Sequence, residues 1–356
     1  MKIIHCADLH LDSSMESGLP PEKAGERRLE LLRTFTRMVE RAAEEQVEAI
    51  LLAGDLFDAG TVSARAGSCV LDVVAEHPQI TFYYLQGNHD RNGFLSDAGR
   101  LPDNLKTFGP GWTSYEQGEV TITGAELCKD TPEDLMERLA LNQSRVNIVM
   151  LHGTAGEQEG SDPQDTVPLR ALRGRGIDYL ALGHIHSFRL DRLDDRGCWC
   201  YSGCLEGRGF DECGEKGYVE LEIEQGRIVP TFVPFAERSL HDIPVDITGA
   251  LTQDDIQRKV RQEMRDIPQK DMVQIRLTGR VEPEVEPDPA WIRKWLEDSC
   301  YFLKVRDETS LLIRPEDYRY DVSLKGEFVR LVLASELAED EKEAVLRKGI
   351  CALTGE

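Results

Sequence analysis

Nine side chains in this sequence are of types that bind a metal ion or move a proton, and they fall into five short groups. These are Asp8-Leu9-His10, Gly54-Asp55, Gly87-Asn88-His89-Asp90, His152-Gly153 and Gly183-His184-Ile185-His186. Five of the chain's eight histidines lie in them, which a chance scatter would not produce. Asp, Asn and His without thiolates make a borderline-to-hard donor set suited to manganese, iron or zinc; a structural zinc site more usually recruits cysteine. Even seven of these nine side chains would be too many donors for one ion. Two ions sharing one carboxylate would use them economically, and ion pairs roughly 3.5 to 4 Å apart serve phosphoryl and hydrolytic chemistry.

Something must bring these groups together. Each follows an apolar run of strand length, at residues 2–7, 50–53, 80–85, 146–151 and 179–182. A strand that is apolar throughout suits a sheet covered on both faces, and ligands collect in the crevice beyond such strand ends. A single Asp after a strand is ordinary turn chemistry; it is the repetition that points to a site. Alternate residues of an extended chain point the same way, so Asp8 with His10, and His184 with His186, are each expected to present two donors to one region.

The connecting segments predict an α/β fold. Residues 26–46 carry Leu29, Leu32, Phe35, Val39 and Ala42 at helical spacing, and 63–76 form a second helix, giving two β-α-β crossovers and a mainly parallel sheet. Beyond residue 105 the chain is richer in strands, with one helix expected where Thr131-Pro132-Glu133-Asp134 provides an N-terminal signature. Closely spaced turn signals between 188 and 233 indicate antiparallel strands. Residues 1–237 thus form one α/β domain with two sheets. Residues 240–318 read as a smaller α+β cap, and 322–356 as a tail of two amphipathic helices. Phe328, Leu331 and Val332 stripe one of these helices and Val345, Leu346 and Ile350 the other, either packing on the cap or binding a partner.

Composition sets bounds on this reading. The net charge of -23 argues against nucleic-acid binding, which rewards clustered Lys and Arg, although bound divalent cations reverse the local field where a phosphate sits. No stretch reaches the roughly 18 apolar residues of a membrane span, and no signal-type leader is present, so a soluble cytoplasmic protein with no membrane role is expected. Nine cysteines, an odd number, are expected to be reduced. Cys198, Cys200, Cys204 and Cys213 lack the paired spacing of common zinc sites, and Cys198-Trp199-Cys200 reads as core packing. Arg65, Arg91 and Arg208 lie near the donor groups and are candidates for contact with substrate phosphates. His5, His77 and His241 stand outside the groups.

The five donor groups, in this order, resemble the blocks of the calcineurin-like metallophosphoesterases, over residues 1 to about 190. By position the resemblance implies that Asp8, His10, Asp55 and His186 hold one metal and that Asp55, Asn88, His152 and His184 hold the other, with Asp55 as the bridge. It implies that His89 is a non-ligand catalytic histidine, with Asp90 as its orienting carboxylate. Two divalent ions are implied, manganese first, with iron and zinc as alternatives. Within the family, Ala7-Asp8-Leu9-His10-Leu11-Asp12, Gly54-Asp55-Leu56-Phe57-Asp58 and Tyr201-Ser202-Gly203-Cys204-Leu205-Glu206-Gly207-Arg208 are similar to SbcD-type DNA repair exonucleases. That likeness implies phosphodiester hydrolysis on DNA and an SMC-like coiled-coil ATPase as partner, and it leaves a homodimer open. The other readings are a small-molecule phosphodiesterase or phosphoprotein phosphatase on the same fold, and a scaffold without turnover.

Overall fold

The protein is described from a computed structural model, which covers residues 1–15, 18–58, 62–90, 94–97, 99–132, 134–156, 166–282 and 285–354. The chain divides into two compact units, Met1–Ser239 and Leu240–Glu356.

The first unit is a sandwich of two six-stranded sheets. One sheet runs, in spatial order, Arg227–Pro234, Gly217–Glu224, Lys2–Cys6, Ala49–Ala53, Thr81–Leu85, Leu105–Thr107; its last four strands are parallel and its first two join as an antiparallel hairpin. The other runs Arg189–Arg192, Cys198–Tyr201, Tyr179–Gly183, Val146–His152, Val120–Gly124, Thr113–Gln117, with antiparallel strands at its two edges. Why the central strands are apolar on both faces follows from the period of two along a strand. Ile4, Cys6, Ile50, Leu52, Phe82 and Tyr84 face the helices Pro21–Glu44 and Ala64–Glu76, whereas Ile3, Leu51, Ala53, Tyr83 and Leu85 face the second sheet. Cys198 and Cys200 point into this inter-sheet core while Trp199 packs on the far side, so the cysteines pack as expected.

Two local expectations fail for identifiable reasons. The helix Pro21–Glu44 begins five residues before the expected start, because proline is tolerated in a first turn. Its inner face is not purely apolar: Arg27 and Glu30 are buried and Leu29 is exposed. Arg27 pairs with Glu30 and with Glu206, Glu30 pairs with Arg238, and Thr34 donates to Glu206 at 2.8 Å, so a satisfied ion network takes the place of a stretch of core. The helix expected after Thr131 is only a turn. The Thr131 hydroxyl bonds backward, accepting from Cys128 N at 2.7 Å and donating to Glu126 O at 2.8 Å, so it caps nothing downstream. Leu135 and Leu139 still reach the core from that turn.

The second unit also departs from expectation. Strands Leu240–Asp246, Met272–Thr278 and Phe302–Asp307 are parallel to one another, with helices Gln253–Glu263 and Pro289–Trp295 between them in the chain. Strand and helix alternate as crossovers, which makes this an α/β arrangement in place of the α+β cap read from the sequence. Thr252 and Asp255 form a capping box on the first of these helices. The tail helices Leu324–Leu333 and Glu339–Thr354 pack through Val329, Val332, Leu346 and Ile350 onto Tyr318, with Leu311 and Ile313 alongside. Leu331 and Val345, assigned to the apolar stripes, are exposed.

Candidate metal centre

The tips of five strands converge. Beyond Lys2–Cys6 the chain runs beside the chain that leaves Ala49–Ala53, with Asp8 N donating to Gly54 O at 3.0 Å, His10 N to Asp55 O at 3.0 Å and Leu11 N to Leu56 O at 2.9 Å. From the second sheet, Gly183 sits in register with His152 on neighbouring parallel strands. The expected mechanism of convergence is corrected here. Asp8 and His10 do not share a direction by extended alternation: both are left-handed (φ 53 and 42), as are Asp55 (φ 50) and His184 (φ 100). Non-glycine residues in this region cost on the order of 1–3 kcal/mol each and persist only where the surroundings hold them.

Three overlapping groups form, Asp8 with His10 and His186, Asp8 with Asp55 and His152, and His10 with Asp58 and His89, the atoms of each lying within 4.8 Å of one another; the first two consist entirely of residues proposed as ligands. Asp55 Oδ2 reaches both, at 3.3 Å from His152 Nε2 and 3.8 Å from His10 Nε2. Asn88 Oδ1 lies 3.0 Å from His152 Nε2, and the His184 ring stands edge-on to that of His152 at 5.4 Å. His184 also donates its backbone N–H to Asp8 Oδ1 at 2.8 Å. All seven residues proposed as ligands are therefore brought together. His152 Nδ1 bonds Ala53 O at 2.9 Å, which turns Nε2 inward, and His186 Nδ1 bonds Glu212 Oε1 at 2.6 Å, with the same result.

The residues fit divalent cations. His10 Nε2 and His186 Nε2 face each other at 3.2 Å, which requires a proton or a metal between two acceptor nitrogens, and Asp8 Oδ2 is buried with no hydrogen-bond partner. Protonation follows the same demand for positive charge. Burial acts to lower the His152 pKa, but the Asp55 hydrogen bond and charge, with Asp8, outweigh it and bring it from 6.5 to about 9. Burial acts to raise that of Asp55, and His152 with His10 bring it down to about 2. A cation must displace the His152 proton, because only the neutral ring can ligate. Apparent metal affinity is therefore expected to rise by about tenfold per pH unit up to about pH 9 and to fall as the solution is acidified. Manganese titrations at about pH 6, 7 and 8 measure this slope, and a pH-independent affinity would contradict it.

Glycines make the approach possible. A Cβ on Gly87 would stand 2.2 Å from Asp55 Oδ1, and one on Gly54, itself at φ +94, would stand 2.1 Å from His152 Nδ1. Gly87→Ala is expected to displace the Asp55 carboxylate, costing about 1–3 kcal/mol of stability by overpacking and weakening metal binding, as read by thermal unfolding and metal stoichiometry.

His89 is half-exposed, with its ring centroid 5.1 Å from that of His10. The role expected for Asp90 is corrected. Its carboxylate is fully buried and accepts the backbone N–H groups of Leu56 (3.1 Å), Phe57 (2.9 Å) and Gly87 (3.0 Å), tying two strand tips together. The carboxylate that faces His89 is that of Asp58, with Oδ1 3.4 Å from His89 Nδ1 and 3.5 Å from His10 Nδ1. The resemblance implies Asp90 in this place and assigns Asp58 no role. Arg208 adjoins the centre but is held in place, with Nη2 2.9 Å from Glu212 Oε1 and Nη1 3.6 Å from Asp58 Oδ2. Arg65 is exposed in the first turn of Ala64–Glu76, and Arg91 lies outside the described residues. Glu212, which stands behind His186, is not singled out in the sequence: no strand leads to it and no histidine adjoins it. Burial acts to raise its pKa, but His186 and Arg208 bring it down to about 2. Among the described residues no cysteine joins a donor set.

The chain is 30% identical over 262 residues to an uncharacterized metallophosphoesterase, YhaO, of Bacillus subtilis (strain 168), covering 70% of this chain and 64% of that protein. It is 28% identical over 272 residues to the DNA double-strand break repair protein Mre11 of Aeropyrum pernix, covering 69% and 64%. The chain thus spans 64% of the length of each relative. Among solved structures, TT1561 of Thermus thermophilus superposes with a TM-score of 0.45 at 13% identity, over 65% of this chain and 98% of that one. Among the described residues, no helix is long and apolar enough to cross a membrane. The model of the calcineurin-like phosphoesterase family matches residues 1–188, more than half of the chain, and the protein belongs to that family of metal-dependent phosphoester hydrolases.

Proposed function

We propose that this chain is a manganese-dependent DNA nuclease subunit that cleaves phosphodiester bonds at DNA ends or in single strands. The observation that carries the hydrolytic part is the convergence of Asp8, His10, Asp55, Asn88, His152, His184 and His186 beside a half-exposed His89. When bound, two divalent cations supply positive charge next to the phosphoryl oxygens. The chain's own groups do the rest. The His89 ring, set by Asp58, is placed to donate a proton to the departing sugar oxygen or to a phosphoryl oxygen, and the His89 backbone N–H holds Asp55 Oδ1 at 2.9 Å. The similarity to Mre11 and the Tyr201–Arg208 block support DNA as the substrate.

The same reading gives the tail a partner. Val322, Leu324 and Leu331 are all exposed, which supports docking of an SMC-like coiled-coil ATPase. A homodimer fits the same reading.

A second reading, a small phosphodiester or a phosphoprotein as substrate, is favoured by the net charge of -23, which disfavours a polyanion. Linear and single-stranded DNA should be offered to the protein with manganese, alone and with a candidate ATPase, alongside a small aryl phosphodiester. Nucleotide release from DNA supports the nuclease; turnover of the small ester alone removes it in favour of the second reading.

A further inference from the structure

Two imidazoles that face the centre from the second sheet are supported differently. His152 Nδ1 bonds a neutral backbone carbonyl, Ala53 O, whereas His186 Nδ1 bonds a carboxylate, Glu212 Oε1, at 2.6 Å. Glu212 is 6% exposed and is itself held: its Oε2 accepts Arg208 N at 2.7 Å and its Oε1 accepts Arg208 Nη2 at 2.9 Å. The backbone of His186 is fixed by the same stretch of chain, since its carbonyl accepts the buried Lys216 Nζ at 2.7 Å and Cys204 N at 3.4 Å. Ring and backbone of this one donor are thus both set by residues 204–216.

We propose that Glu212 is a positioning residue for one cation only, the one held by Asp8, His10 and His186. This rests on the two-cation centre argued above. A carboxylate behind a ligating histidine fixes which nitrogen carries the proton, aims the ring and makes the inward nitrogen a better donor. The protein thereby holds two unequal cation sites. The site backed by Glu212 binds more tightly than a carbonyl-backed ring alone would allow.

Titration of the metal-free full-length chain with manganese alone, by calorimetry and by manganese electron paramagnetic resonance, tests this in the wild type, Glu212→Gln and Glu212→Ala. The wild type is expected to take up two ions. In Glu212→Gln, which keeps shape and a hydrogen-bond acceptor, one site should keep its affinity while the other weakens, and Glu212→Ala should weaken that same site further, by roughly ten- to a hundredfold. Nitrogen-detected NMR of the zinc-loaded protein should show the His186 Nδ1–H resonance, bonded to a carboxylate in the wild type, move in Glu212→Gln while that of His152 stays in place, a readout that a purely structural role for Glu212 would not move. Two unchanged affinities in Glu212→Gln, equal weakening of both sites, or a His186 Nδ1–H resonance unmoved in Glu212→Gln would overturn the proposal. A wild type that binds no divalent cation would instead overturn the centre itself. Should Glu212→Ala fail to fold, the isosteric Glu212→Gln decides.

Discussion

Asp55→Ala is expected to leave the protein without its metal and to lower phosphodiester hydrolysis by roughly three orders of magnitude or more, the scale on which one preorganised electrostatic group acts. The size of the effect follows from how many contacts pass through this carboxylate. Oδ2 lies within 3.8 Å of both His10 and His152, so a charge that touches both donor sets is lost, with Asp8 left as the carboxylate common to them. Oδ1 accepts the His89 N–H, so the Asn88-His89 tip loses its anchor as well. The variant also releases His152 from the charge that raises its pKa, so that ring should titrate closer to 6.5. Metal content by elemental analysis and turnover of a phosphodiester measure the two effects. A variant that keeps two ions would remove Asp55 from its proposed place.

His89→Ala is expected to separate binding from chemistry. Its contact with Asp55 is made by a backbone N–H, which alanine retains, and its ring is half-exposed, so little packing is lost. Metal content should stay near that of the wild type while the rate falls by about 10²–10⁴, the usual contribution of a positioned general acid. Asp58→Asn should show a weaker form of the same loss, because Asp58 orients the ring and is not itself the donor. Normal turnover in His89→Ala would take away the proton-donating role, and loss of metal would show that the residue is a ligand.

The contrast between Asp55, singled out in the sequence and placed among the donors, and Asp58 and Glu212, which are not singled out, shows what the sequence makes legible. Strand tips announce themselves. An apolar run buried on both faces, followed by donors, is a local pattern, and five of them in order identified the sandwich and the residues at its edge. Groups that act from behind the ligands carry no such pattern. Glu212 lies in a turn-rich stretch and meets His186 only because the chain folds back across 26 residues. The orienting role that the resemblance implied for Asp90 is not what its carboxylate does: it turns inward to three backbone N–H groups. The left-handed φ values at Asp8, His10 and Asp55 were also invisible, because aspartate and histidine tolerate that region and nothing in their type requires it. Arg27 and Glu30 broke the helical stripe for a related reason, since their partners Glu206 and Arg238 lie far along the chain.

The donors come from strands of both sheets, and His10 and His186, whose rings nearly touch, are 176 positions apart. A growing or truncated chain that stops short of His152 owns Asp8, His10, Asp55 and Asn88 yet lacks the three later histidines that complete the sets. A chain lacking those histidines is therefore expected to have no phosphoesterase activity until the sandwich is complete. A pair of ions spanning the seam would in turn rivet two plates otherwise joined by apolar packing and a few hydrogen bonds, such as His184 N–H to Asp8 Oδ1, so withdrawing them with a chelator should loosen the halves from one another before either comes apart.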